Sequence, residues 1–134
     1  MNIVLWILQI LLAVAFFAHG WLLLWPPPDI AAQMNAELPR SFWIVLGIAE
    51  IAAAFGITLP GLTKILPWLV IWSAVGIAFV MVSATIWHVV RSEYSSALIT
   101  LVLLGMASYV AWMRHRWPSS PHRSRPVAPG RSVQ

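Results

Sequence analysis

Long apolar runs broken by short polar or proline-bearing segments recur four times along the chain. The runs are Ile3 to Trp25, Phe42 to Leu59, Ile65 to Val90 and Ser96 to Met113. Each is close to the about 20 mostly apolar residues that an α-helix needs to cross a bilayer. The pattern therefore predicts an all-α integral membrane protein, a four-helix bundle. The breaks have chemical causes. Pro26, Pro27 and Pro28 offer no backbone N–H in succession and end the first helix. Pro60-Gly61 is a turn dipeptide expected to close the second. Pro67 falls in the first turn of the third, where a missing N–H costs little, and the polar segment Arg91 to Ser96 leads to the fourth. Between the first two spans, Ile30, Met34 and Leu38 recur at i, i+4 and i+8. That spacing predicts one or two amphipathic turns lying on the membrane surface as a lid, the alternative being a plain solvated connector.

Composition supports the membrane reading: 60% of residues are hydrophobic and 9% charged, against about a quarter charged in soluble domains. Ala13-Val14-Ala15 resembles a small-residue cleavage site, but no Lys or Arg precedes the first run and it continues to Trp25. A retained span is expected in place of a cleaved signal peptide. Cysteine is absent, which excludes disulfides, thiolate catalysis and Fe–S ligation.

The net charge of +4 belongs mostly to the C-terminal segment, where five of the eight basic residues follow Tyr109. Residues 115–134 carry Pro118, Pro121, Pro126 and Pro129 and no acid, and are expected to form a disordered tail touching anionic headgroups. This distribution argues against a nucleic-acid face, and the membrane domain is expected over residues 1–114. His115 and His122 fall in the tail, with no function assigned. With both termini cytoplasmic, Lys64, Arg114, Arg116, Arg123, Arg125 and Arg131 lie inside and only Arg40 and Arg91 outside, as the positive-inside bias prefers. The nine tryptophans fit the same topology as interfacial anchors. Trp6, Trp68, Trp72, Trp112 and Trp117 fall near inner helix ends, and Trp21, Trp25, Trp43 and Trp87 near outer ones.

Ionisable side chains inside the spans are the candidate chemistry, because each costs about 2.5–3.5 kcal/mol at helix centre and needs a partner or a purpose. They are His19, Glu50 and His88. At about 1.5 Å per residue, Glu50 lies about 13 Å below the outer end of its helix, His19 about 9 Å below Trp25 and His88 about 4–5 Å below Arg91. Glu50 is the only acid within a span, and Gly47 and Ala54 on its face let another helix approach closely. It is either a proton carrier or a structural hydrogen-bond partner. His19, on a stripe with Leu5, Leu12, Ala15 and Phe16, is expected either to bridge helices by bonding Glu50 or to join a quinone, proton or substrate site. A bis-histidine haem through His19 and His88 is disfavoured by their mismatched depths. His88, followed by Arg91 and Glu93, also reads as an ordinary interfacial histidine. Gln9 is expected to make a helix–helix hydrogen bond, and Ser73, Ser83, Thr85 and Ser108 to bond their own backbone. No metal-ligand spacing, phosphate loop or nucleophile arrangement is present, so no metal is expected.

Leu46-Gly47-Ile48-Ala49-Glu50-Ile51, Leu59-Pro60, Ala84-Thr85-Ile86-Trp87-His88 with Arg91 and Glu93, and Tyr109-Val110-Ala111 before Arg114 together resemble the DoxX-like family of small bacterial membrane proteins. The resemblance covers about Ile3 to Arg114. It implies a four-helix bundle in the bacterial inner membrane and a link to membrane redox systems. The name-giving members resemble a small subunit of a thiosulfate:quinone oxidoreductase. It also implies recurring polar positions at Glu50 and His88. Many members carry a lysine near the end of the first span, where this chain has His19-Gly20, so a residue that titrates near neutral pH replaces a permanent charge.

The leading expectation is an accessory subunit of a quinone-linked membrane redox system. His19, Glu50 and His88 would line a polar pocket open to the outer half, with Gln9, Arg91 and Glu93 as secondary candidates. Without cysteine or an evident redox centre, the chain is expected to be a non-catalytic subunit. It would need a membrane or soluble oxidoreductase partner carrying flavin, metal or thiol; a homo-oligomer is a separate open alternative. The alternatives are a proton-coupled small-molecule transporter using Glu50 and a purely structural subunit of a larger membrane complex.

Overall fold

A computed structural model describes residues 3–63, 66 and 68–116. The described residues are all helical, in five elements: α1 (Ile3–Leu24), α2 (Pro28–Glu37), α3 (Arg40–Thr63), α4 (Trp68–Val90) and α5 (Tyr94–Arg116). Four of them are long and apolar enough to cross a membrane, and at about 1.5 Å rise per residue each matches the about 30 Å hydrocarbon core. They run up and down in a ring. α1 packs chiefly on α3 and α4 on α5, while α3–α4 and α1–α5 contacts close the circle and leave α1 and α4 diagonal.

Each span buries one narrow stripe at helical spacing. In α1 it is Leu5, Gln9, Leu12, Phe16, Gly20 and Leu23; in α4 it is Val70, Ala74, Ile77 and Met81. The opposite faces present Ile7, Leu11, Val14, Phe79, Val82 and Ile86 outward, the side chains a lipid solvent accepts. Because lipid tails are as apolar as these residues, helix association depends on close packing and interhelical hydrogen bonds. The tightest approach is between α1 and α3 at Gly20 and Gly47. A Cβ at Gly20 would stand 2.8 Å from the Gly47 carbonyl oxygen, and one at Gly47 would stand 2.9 Å from the Gly20 carbonyl oxygen. Only glycine fits at both positions.

Several boundaries differ from the sequence expectation. α3 does not stop at Pro60-Gly61 but carries Pro60 within it to Thr63. The proline removes one donor, that owed to the Gly56 carbonyl, and neighbouring helices make such losses tolerable in membrane spans. α5 begins two residues before Ser96 and continues to Arg116, so His115 and Arg116 form its last turn and are not tail. Lys64, Trp117, His122 and the rest of the basic segment lie outside the described residues. The surface segment is a full ten-residue helix, with Ile30, Met34 and Leu38 half-buried along one side. It is fastened at its C-terminal end by the Trp43 indole N–H, which donates to the Met34 and Leu38 carbonyls at 2.9 and 3.2 Å. Arg40 performs the same service for α1, donating to the Leu23 and Leu24 carbonyls and setting its charge against the negative end of the helix dipole.

The α4–α5 turn is a Schellman closure. The Glu93 N–H bonds the His88 carbonyl at 2.9 Å and the Ser92 N–H bonds the Val89 carbonyl at 3.0 Å. Ser92 occupies the left-handed position at φ 60°, where glycine is usual because a Cβ is penalised. Ser92→Gly is therefore expected to stabilise the protein by about 0.5–1 kcal/mol, read as a higher melting temperature in detergent. Gly20→Ala and Gly47→Ala are each expected to cost about 1–3 kcal/mol, because a helix backbone must give way. Since both strain the same contact, the double variant is expected to cost less than the sum, which a double-mutant cycle measures.

Candidate functional site

Glu50 lies in the middle of the α3 stripe and is 2% exposed. Its Oε2 is 2.7 Å from His19 Nδ1, a charged or neutral hydrogen bond according to where the shared proton sits. The glycine crossing creates this pair: Gly20 and Gly47 bring the two backbones together, and the neighbouring His19 then reaches across to Glu50 from the edge of the interface. The buried position of the α1 stripe is Gly20, not His19, whose side chain remains 56% exposed on the apolar outer surface of the bundle. No other hydrogen bond to His19 is formed among the described residues, so its Nε2 is open to the membrane.

On its other flank Glu50 borders a lateral groove of about 520 Å³ between α3 and α4. Ala49, Ala52, Ala53 and Gly56 form one wall, Trp72, Ser73, Gly76 and Val80 the other, with Phe16 and Ile77 behind. The groove exists because α3 presents only small side chains there. At Gly76 a Cβ would meet nothing within 4 Å, whereas at Gly56 it would collide with the Ser73 hydroxyl. The carboxylate is thus flanked by an exposed imidazole on one side and a lipid-facing apolar groove on the other.

His88 is not part of this arrangement. Its Nδ1 bonds Glu93 Oε2 at 2.6 Å, and the Schellman closure holds its carbonyl to the Glu93 N–H, so one residue grips His88 twice. The same carboxylate accepts from Arg91 Nε at 2.9 Å, and Arg91 Nη2 reaches Glu37 Oε1 at 2.6 Å, tying α2 to the α4–α5 turn. The single pocket of His19, Glu50 and His88 expected from sequence is two separate pairs. His19 and His88 stand on diagonal helices and hydrogen-bond different carboxylates. Among the described residues no group of three His, Asp or Glu is placed to share a metal ion.

Gln9 makes the helix–helix bond expected of it. Its Nε2 donates to the Ile57 carbonyl at 2.6 Å, and its Oε1 accepts from Arg114 Nη2 at 2.5 Å. Thr85 bonds the Met81 carbonyl and also pairs with Thr100 at 2.8 Å, joining α4 to α5. Sequence reasoning missed the capping role of Arg40, the Arg91–Glu37 bridge and the Gln9–Arg114 contact. All three join residues distant in sequence; the only available signal was that each is a polar group near the end of an apolar run.

The surface cluster has a defined pH response. Arg91, then His88, hold the Glu93 carboxyl below the usual carboxylate range, and Glu93 in turn raises the Arg91 guanidinium. A depressed folded-state value contributes stability that is complete above the ordinary glutamate range and is lost as pH falls below it. The protection factors of the α2 amides, with the intrinsic pH dependence of exchange divided out, are therefore expected to hold down to that range and to fall beneath it. Glu93→Gln should remove this acid-side transition, with Glu37→Gln and His88→Gln as control variants.

The DoxX-like family model matches residues 7–110. No curated protein and no solved structure matches the chain. The matched region contains both glycines of the crossing, the His19–Glu50 pair and the turn that holds His88, and a match over so much of the sequence makes this multi-pass membrane protein a member of the DoxX-like family.

Proposed function

We propose that this protein is an accessory subunit of a quinone-linked redox system in the bacterial inner membrane. In this reading Glu50, backed by its hydrogen bond to His19, forms the polar end of a binding site for a quinone headgroup. The observation that carries it is a buried carboxylate bonded to a membrane-exposed imidazole beside an apolar groove. The family resemblance supplies the redox context.

The residues fit such a group. A volume of about 520 Å³ is within the about 300–1,000 Å³ of small-molecule sites. Its walls are alanine, glycine, valine and aromatic carbon, suited to a ring and an isoprenoid tail, with Glu50 and the Ser73 hydroxyl as hydrogen-bonding groups. A quinone supplies two-electron, two-proton chemistry when bound, and needs proton donors and acceptors at its oxygens. Glu50 and His19 share a proton between Oε2 and Nδ1, so a proton passed from Glu50 to a headgroup oxygen in the groove can be replaced from the imidazole. The pair can therefore take up or release a proton without bringing bulk water to mid-membrane.

Two variants separate this function from a merely structural bridge between α1 and α3. Glu50→Gln preserves size and a hydrogen bond to His19 but cannot titrate. Gly76→Leu projects into the groove from a position where an added Cβ meets nothing within 4 Å. Both are expected to melt within a few degrees of the wild type. Mass spectrometry of protein extracted from its native membrane should find quinone and an oxidoreductase partner on the wild type. Quinone is expected to fall about tenfold or more on Gly76→Leu, an assigned loss of about 1.4 kcal/mol or more in binding. Quinone-dependent turnover is expected to weaken on Glu50→Gln. Wild-type protein carrying neither quinone nor a redox partner would overturn the proposal. It would favour proton-coupled transport through Glu50, which that substitution should abolish.

A further inference from the structure

At the end of the bundle opposite α2, the half-buried Arg114 lacks a counter-charge among the described residues. Arg114, in the last turn of α5, donates from Nη2 to the Gln9 side chain and lies over the Trp6 ring at 5.6 Å. Gln9 is itself fully buried and held by the Ile57 carbonyl, so its amide oxygen is fixed toward the guanidinium. Gly61 on α3 provides the space: Trp6 ring carbon stands 3.0 Å, and Arg114 Nη2 3.7 Å, from where its Cβ would be. The contact uses a neutral acceptor and an aromatic face, neither of which cancels a full charge. The Nε–H of Arg114 is shielded and has no acceptor among the described residues.

No acid of this chain can serve. The sequence has four: Asp29, Glu37, Glu50 and Glu93. Asp29 and Glu37 are on α2 and Glu93 is in the α4–α5 turn, all at the other end of the bundle. Glu50 is engaged by His19, and its position in α3 leaves it about 15 Å or more along the bundle axis from the last turn of α5. Arg116 is in the same position, stacked on Trp112 at 4.4 Å, with no carboxylate partner. It is fully at the surface, however, whereas Arg114 is half-buried and pre-oriented. Two arginines braced on tryptophans at the end of a membrane span, with no acid nearby, lie where lipid phosphates lie.

We infer that Arg114, oriented by Gln9 and Trp6 in the gap left by Gly61, is a binding site for the phosphate of an anionic phospholipid headgroup. Guanidinium N–H groups not used by Gln9 face that phosphate in the fork geometry arginine offers an oxyanion, and the Trp6 ring borders the acyl-chain side. The site is independent of the quinone reading and lies at the opposite depth from His19.

The full chain, purified in detergent and stripped of lipid, tests this by native mass spectrometry and thermal unfolding. Phosphatidylglycerol, phosphatidylcholine and inorganic phosphate would be added separately. Phosphatidylglycerol is expected to bind at one tight position and raise the melting temperature more than phosphatidylcholine. Arg114→Gln should weaken it about five- to tenfold, as loss of one basic contact at a lipid surface implies, while Arg116→Gln changes it about twofold or less. Equal losses with the two variants would overturn a built site in favour of diffuse surface charge. Stabilisation by inorganic phosphate as large as that by the lipid would overturn the lipid assignment and mark a soluble anion as the occupant. If Arg114→Gln does not fold, the wild-type comparison still decides: equal affinity for the anionic and zwitterionic lipids overturns the inference.

Discussion

The contact between Gly20 and Gly47 is the constraint on which the site depends. In lipid there is no hydrophobic gain from bringing two apolar helices together, so the interface must be made from close packing and hydrogen bonds. Two glycines give α1 and α3 a backbone-to-carbonyl approach that no other pair of residues permits. That approach removes Glu50 from lipid and sets it beside His19. A carboxyl group at this depth is tolerated because the imidazole is already in place when the helices meet. The groove follows from the same choice of small residues, since Ala49, Ala53 and Gly56 leave α4 without large side chains to pack against.

Several polar groups elsewhere find their partners on another element. Arg40 closes the end of α1, Trp43 closes α2, Thr85 meets Thr100, and Gln9 connects α1 to the backbone of α3 and to α5. The two ends of the bundle differ in charge. Three of the four acids gather at the α2 end, where Glu37, Arg91, Glu93 and His88 form one cluster that closes the lid helix on the turn. Among the described residues the charged groups at the opposite end are cations, with Arg114 and Arg116 braced by tryptophan rings. This asymmetry makes the first end self-sufficient and leaves the second dependent on anions from outside the chain.

A DoxX-like membrane bundle with a single intramembrane carboxylate therefore divides its functions by depth. Exposed ion pairs at the α2 end contribute mainly shape, since such pairs are individually weak in water. The pair at mid-depth is where the proposed chemistry sits, because a low dielectric makes every charge and hydrogen bond count for more. The end with arginines meets the headgroup layer. The three regions share no side chain, so alterations in one are expected to act on the others only through helix packing.

The number of spans, the surface helix and the need of Glu50 for a partner were all legible in the sequence. They follow from run length, from the spacing of Ile30, Met34 and Leu38, and from the cost of burying an acid. Even the His19–Glu50 bond was foreseeable from depth and charge. The rotation of each helix was not, because a span that is apolar on every side gives no moment to read. One residue is a turn of about 100°, which is the difference between His19 buried on the stripe and His19 at its edge with Gly20 inside. The separation of His88 from the site came from the turn at Ser92, which closes like a glycine turn without containing one. The continuation of α3 through Pro60 depended on neighbours that supply packing where a hydrogen bond is lost. The contact of Gln9 with Arg114, 105 residues apart, exists only once α1 and α5 stand side by side. Local chemistry determined which segments cross the membrane and which side chains need partners, and tertiary packing alone decided which partners they found.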